Sequence, residues 1–304
     1  MSRNREQTPV RNRRRGRRRQ PVVAWLFVLP ILLIHIAVVT GPSLAAFYYA
    51  LTDWSGVGPA TFVGLANFQT LVTDDDFRRA FLNNLLWLAF FLTVPFGLAL
   101  TAAALLAPVR RGHTTLRTFL ILPYVLPAVI TASLWRFLLN PSLGLGAHLA
   151  ALGLPGLDQA FLGRPATALL TVAFVDNWHW WGLLMVLLLT AMQAIPTERY
   201  EIARLDGATR AQEFRYITLP GIQPTLVFML LMTGIWSFLV FDYVWILTQG
   251  GPAGSSEVLG TLVYKEAFTR FNAGYAAAIG LSMSCFAGII IVLFIALRRR
   301  GWEI

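Results

Sequence analysis

The chain has 304 residues, 56% hydrophobic and only 13% charged, where a soluble domain carries about 25% charged residues. That deficit excludes an ordinary soluble domain and places the chain among membrane proteins. The net charge of +10 does not point to nucleic acid, because nine arginines lie within Arg3–Arg19 and the remainder is close to neutral.

The basic arm over residues 1–20 is followed at once by a charge-free run from Gln20 to Thr52. That run is too long for a signal-peptide h-region, so it reads as a retained first span at about Val22–Tyr49. A crossing helix needs about 20 mostly apolar residues. By that measure further spans fall at Ala80–Val109, Thr118–Leu139, Ala166–Ile195, Gly221–Leu247 and Ala273–Leu297. The expectation is an all-α integral membrane body of six helices over 21–300, with a short tail at 301–304. Between the first two spans, Thr52–Arg79 is too rich in apolar and aromatic residues for a linker and predicts a short interfacial helix. The QGGP at Gln249–Pro252 is a turn signal.

Orientation follows from the cations. With the N-terminus inside, the inner segments hold 19 of the 25 Lys and Arg residues, namely the arm, Arg110, Arg111, Arg117, Arg199, Arg204, Arg210, Arg215 and Arg298–Arg300. The positive-inside rule then puts both termini and the loop after the fourth span in the cytoplasm.

Enzyme chemistry is not visible. The only lysine, Lys265, follows Tyr264, so no P-loop can form and any ATPase must be another polypeptide. His35, His113, His148 and His179 show no metal spacing, there is no GxSxG elbow, and Cys285 is the only cysteine.

The segment Thr197–Pro220 is the polar exception between two apolar runs, with eight charged residues from Glu198 to Arg215. Pro196 should end the fourth span and Thr197 should cap a new helix, with Glu198 and Glu201 in its first turn. Gly207 should permit a close turn that a side chain would block. A second short helix follows from about Thr209 to Tyr216, with Pro220 and Pro224 breaking the chain at the start of the fifth span. Ile202, Ala203, Leu205, Ala208, Phe214 and Ile217 cannot all be covered by an isolated hairpin, so a partner surface is expected.

Glu201, Ala203, Gly207, Ile217, Leu219 and Pro220 stand at the spacing E-A-A, three residues, G, nine residues, I-x-L-P. This resembles the EAA loop of bacterial ABC importer permeases of the binding-protein-dependent, maltose-type carbohydrate branch. Ile202 replaces the first alanine. FVGLANF at Phe62–Phe68, ILPYVLP at Ile121–Pro127, the run Trp236–Pro252 and GYAAAI at Gly274–Ile279 are similar to the same branch, so the resemblance spans about residues 20–300. It implies the type I importer permease fold in the bacterial inner membrane. It also implies a homologous second permease subunit, two ATPase subunits that bind ATP and Mg, an extracellular solute-binding protein and a sugar substrate. Glu201, Ala203, Arg204, Asp206, Gly207 and Ala208 would then couple to the ATPase.

Polar residues at membrane depth are costly and tend to line a path or a helix interface. Asp176, with Asn177, Trp178 and Trp181 beside it, offers a carboxylate for hydroxyls and indole faces for sugar C–H surfaces. A structural contact with the second permease is the alternative. His179 is expected to make a packing contact. Pro123 and Pro127 flank Tyr124, and broken helices mark transport paths. The resemblance places sugar contacts at Tyr124, Ala128, Thr233, Trp236, Ser237 and Val240, where Ala128 and Val240 are apolar departures. Asp242 and Tyr243 lie nearer the outer mouth, as contacts in transit or braces of a gate. A permease for a glycerol-phosphate ester and an ion-coupled secondary transporter are the rival readings. The embedded acids argue against the first, and no second related half supports the other. For a membrane glycosyltransferase the only carboxylate cluster is Asp74–Asp76, which reads better as a solvated helix start.

Overall fold

The computed structural model describes residues 20–109, 111–154, 156 and 158–299. The arm up to residue 19 and the tail at 301–304 lie outside the described residues. The chain divides into two compact units that meet at Tyr48 and Tyr49.

The first unit holds α1 (Gln20–His35) and α2 (Gly41–Tyr49), joined by a π-turn at Ile36–Thr40. Pro42 lacks an amide hydrogen, and its ring would crowd the carbonyl one turn back. The wider turn absorbs that misfit, since Gly41 N–H donates to Ile36 O, and the helix continues through the proline.

In the second unit, Thr52 and Phe62 form an antiparallel bridge, and α3 (Ala66–Thr73) follows, the short outer helix expected from the sequence. Next comes α4 (Asp75–Leu106), then α5 (His113–Val125), α6 (Ala128–Leu138) and the short α7 (Leu145–Ala151). The long α8 (Ala168–Gln193) is the centre of the unit and packs most extensively on α4. It is apolar on every face, which is the pattern of a buried helix. Met185, Leu188 and Leu189 are fully covered. In lipid such packing cannot be driven by escape from water, so close fit decides it. At Gly182 a Cβ would stand 2.2 Å from the carbonyl oxygen of Leu120, and only glycine lets α5 approach α8 this closely.

The polar hairpin consists of α9 (Thr197–Leu205) and α10 (Arg210–Glu213), and a π-turn at Phe214–Thr218 leads into α11 (Leu219–Phe238). Next come α12 (Asp242–Leu247) and α13 (Leu259–Phe268), and α14 (Ala273–Arg299) closes the described chain. Among the described residues, five helices are long and apolar enough to cross a membrane, or six if α5 and α6 form one broken span.

Three expectations are corrected. The third span is not one helix, because α5 and α6 meet at 94°. A residue before proline avoids the helical region, and Leu126, ahead of Pro127, is extended at ψ 135°. The fifth span stops at Phe238 rather than Leu247, and α12 is a separate piece. Pro220 and Pro224 do not break the chain, since 210–238 forms one helical span in which the π-turn before Pro220 repeats the device before Pro42.

The layer that carries α3, α12 and α13 is held by side chains from the start of α4. Asn83 donates to the carbonyls of Ser255 and Glu257 at 3.1 and 2.8 Å. Asn84 donates to Ser237 O and accepts from Leu259 N, both at 2.8 Å. The acids Asp74–Asp76 do more than sit in water at a helix start. Asp74 caps α4 by accepting from Asp76 N at 2.8 Å and also receives the Tyr275 hydroxyl. Asp76 pairs with Arg270 at 3.1 Å, and Arg270 also holds the buried Glu266. This carboxylate pair keeps the Arg270 guanidinium even more firmly protonated than usual.

Candidate functional site

A cavity of about 350 Å³ lies where α4, α6, α8, α11 and α12 come together. It is built by three local events. The α5–α6 bend opens the space and points the Leu126 carbonyl inward, where it lies 3.2 Å from His179 Nε2. The end of α11 at Phe238 leaves Leu239, Val240 and Phe241 as non-helical wall. Helical spacing on α8 puts Asp176, His179 and Trp180 on one face, at i, i+3 and i+4.

Of the residues expected along a substrate path, Asp176, Thr233, Trp236, Ser237, Asp242 and Tyr243 line this cavity, as do the apolar departures Ala128 and Val240. Tyr124 stands behind the wall, with its ring 5.2 Å from His179 and 6.0 Å from Trp180. The remaining neighbours of Asp176 point elsewhere. Asn177 is buried away from the cavity, Trp178 meets Trp135 edge-on at 5.7 Å, and Trp181 packs against the apolar cluster around Met185 and Leu188. Sequence reasoning passed over His179 and Trp180 as site residues, along with Trp87, Phe91 and Phe241. The i+3 and i+4 positions from Asp176 were the available signal. Adjacency in sequence was the wrong measure on a helix.

The wall chemistry is distinctive. It carries the carboxylates Asp176 and Asp242 and no Lys or Arg. The Trp180 and Trp236 rings meet at 4.5 Å, and Trp87 stacks on Phe91 at 5.1 Å. Thr233 is only 2% exposed, and neither its hydroxyl nor the Trp180 indole N–H has a partner among the described residues. Buried polar atoms without partners cost free energy and mark a place where a ligand or water completes them. No group of three or more metal-ligating side chains converges among the described residues.

The polar hairpin forms a second site. Its helices are tied by Arg204, whose Nε and Nη2 donate to the two Glu213 oxygens at 2.7 and 3.2 Å. Beside this fork the Glu213 carboxyl is held below the usual carboxylate range and the Arg204 pKa is raised. The Tyr200 and Thr218 hydroxyls meet at 2.9 Å. Thr209 opens α10 with a capping box closed by Gln212. Pro196, not Thr197, is the cap residue of α9, so Thr197 is its first helical residue. Gly207 has φ +80° and nothing within 4 Å of where a Cβ would sit, so the turn needs glycine for its dihedral, not for want of room. Glu201, Arg204, Asp206 and Gly207 are exposed, Ala203 and Ala208 are half-exposed, and Ile202 and Leu205 are 61% and 87% exposed. The hairpin is rigid within and uncovered without.

Comparison with known proteins agrees with this architecture. Residues 93–300 match the family model described as binding-protein-dependent transport system inner membrane component. The probable ABC transporter permease protein YurN of Bacillus subtilis is 37% identical over 280 residues, covering 91% of this chain and 93% of that protein. The trehalose/maltose transport system permease protein MalF of Thermococcus litoralis is 30% identical over 287 residues, covering 91% and 92%. A bacterial alginate ABC transporter, solved with its alginate pentasaccharide-bound periplasmic protein, contains a chain with the same fold, at TM-score 0.83, 24% identity and coverage of 94% and 96%. The helical body is thus the type I importer permease fold. The chain belongs to the binding-protein-dependent transport system inner membrane components: it is the multi-pass, non-enzymatic permease subunit of an ATP-driven importer that works with an ATPase and a solute-binding protein.

Proposed function

We propose that this permease carries a sugar, and that it forms half of the path beside a homologous second permease. The observation that carries this reading is the cavity. Carboxylates accept hydrogen bonds from hydroxyls, indole faces cover sugar C–H surfaces, and the unpartnered Thr233 hydroxyl and Trp180 N–H await a polar ligand. A phosphate ester calls for cations, and the wall has none. The trehalose/maltose relative supports the same class.

In this reading both termini and the hairpin are cytoplasmic, following the arginine distribution. Two ATPase subunits bind ATP and Mg and seat α9 in a groove through Glu201, Ala203, Arg204, Asp206, Gly207 and Ala208. The external binding protein docks on the layer built from 52–79 and 249–270. Closure of the ATPases moves the hairpin, and the spans change which side the cavity faces. The uncovered Ile202 and Leu205 support a protein partner there, since apolar side chains on a polar hairpin gain most from a covering surface.

The test is affinity purification of the tagged chain from gently solubilised native membranes, followed by reconstitution in liposomes and measurement of ATP-dependent oligosaccharide uptake. A second six-span protein and a P-loop ATPase are expected to come with it. A chain that is recovered alone and still transports overturns the reading.

A further inference from the structure

Asp176 on α8 and Asp242 at the start of α12 face the same cavity with no Lys or Arg among its lining residues. The only other titratable groups on the wall are His179 and Tyr243, and His179 already directs Nε2 at the Leu126 carbonyl. Carboxylates at membrane depth are costly unless a cation or a set of donors accompanies them. No Lys or Arg among the described lining residues supplies that cation. Metal ions are poorly served, since no group of three or more ligating side chains forms among the described residues.

The rest of the wall suits an organic ammonium. Trp180 and Trp236 line the cavity with their rings 4.5 Å apart, and Trp87, Phe91 and Phe241 complete an aromatic wall. A cation over an aromatic face is attracted by the ring quadrupole, and indole is the strongest of these partners. An ammonium also donates charge-assisted hydrogen bonds to carboxylates. The buried, unpartnered Thr233 hydroxyl offers a further acceptor on the same wall.

We propose that Asp176 and Asp242 make this cavity selective for saccharides bearing a protonated amine, and that it disfavours acidic ones. This deepens, and rests on, the reading of the chain as a sugar permease. The carboxylates pair with the ammonium, the indoles cover the ring and its charge, and Thr233 orders a neighbouring hydroxyl. An acidic saccharide meets like charge with no Lys or Arg on the wall to offset it, and is disfavoured.

The experiment uses the whole transporter recovered with the tagged chain, in liposomes with internal ATP and its own binding protein outside. Uptake of glucosamine oligosaccharides is compared with uptake of their N-acetylated counterparts and of a uronate oligosaccharide. The same measurement is made for Asp176→Asn, Asp242→Asn and Asp242→Glu. The binding protein is common to all, so a change in the ratio of amine to N-acetylated uptake reads the permease wall. Wild type is expected to favour the amine, and each Asn variant to lower the ratio by about tenfold, the loss of one charge pair. Asp242→Glu is expected to keep it. Equal uptake of both sugars, or a ratio untouched by the Asn variants, overturns the charge proposal while leaving the sugar reading standing. Uptake of a neutral oligosaccharide such as maltose with none of the amine sugar overturns the charge proposal alone, and ATP-dependent transport of no saccharide overturns both.

Discussion

The cavity and the hairpin are incomplete in opposite ways. At the cavity, apolar surroundings enclose polar atoms that have no partners, such as the Thr233 hydroxyl and the Trp180 N–H. On the hairpin Arg204 and Glu213 pair across the turn, while Ile202 and Leu205 stand uncovered. Each deficit describes its missing partner. Unpartnered donors and carboxylates ask for a small polar ligand. Uncovered apolar side chains on a self-braced hairpin ask for a protein surface.

The sharpest way to break this contrast is at Gly207. Gly207→Val forces a β-branched residue to φ +80°, which costs about 1–2 kcal/mol and reshapes the hairpin turn. Transport is expected to fall by roughly an order of magnitude with membrane insertion intact, read by uptake alongside quantitative blotting of the membrane fraction. Next is the α5–α6 bend. Pro127→Ala restores an amide hydrogen and frees Leu126 to become helical, so the 94° bend should relax and withdraw the Leu126 carbonyl from His179. Uptake several-fold lower with ATPase assembly unchanged is the expected result. Cysteine cross-linking between α6 and α8 that matches wild type would count against it.

Smaller effects are expected from charge. Arg204→Gln removes the fork and should weaken ATPase stimulation by about threefold without dissociating the complex, the scale of an exposed pair. The same fork has a pH signature. Glu213 has a lowered pKa in the folded hairpin, so the stability it contributes is present above the ordinary carboxylate range and is lost as pH falls through the folded value. Protection of the hairpin amides should therefore exceed that of Glu213→Gln above pH 6, and below about pH 4 should fall toward the level of that variant, which has nothing to titrate. The smallest change in transport is expected from Arg270→Gln, which acts on stability. Asp76 keeps Arg79 at 3.7 Å, but the buried Glu266 loses the cation that pairs it, so a drop in thermal stability of several degrees is predicted.

Some features were legible because they are local. Span positions follow from runs of about 20 apolar residues, and their order survives in α4, α8, α11 and α14. The hairpin register followed from Gly207 and the I-x-L-P that closes it, since turn dihedrals and caps depend on near neighbours. The missing P-loop required no fold at all, only the count of one lysine.

Other features were decided by packing. The apolar surface of α8 is nearly uniform, so nothing in its pattern said which face would meet a cavity, and Trp178 and Trp181 looked as well placed as His179 and Trp180. The prolines were equally ambiguous. Pro127 ends a helix because Leu126 turns extended, while Pro42 and Pro220 are carried through by π-turns. The stop at Phe238 could not be read from a run that stays apolar to Leu247. It reflects the seat of the 239–241 segment beside α13, where a Cβ on Gly260 would lie 2.5 Å from the Val240 carbonyl oxygen. Composition and local turn chemistry therefore determined the class, the spans and the hairpin. Helix rotation, breaks and the gathering of Asp176 with Asp242 belonged to tertiary structure, because in an apolar medium close packing, not hydrophobicity, chooses which faces meet.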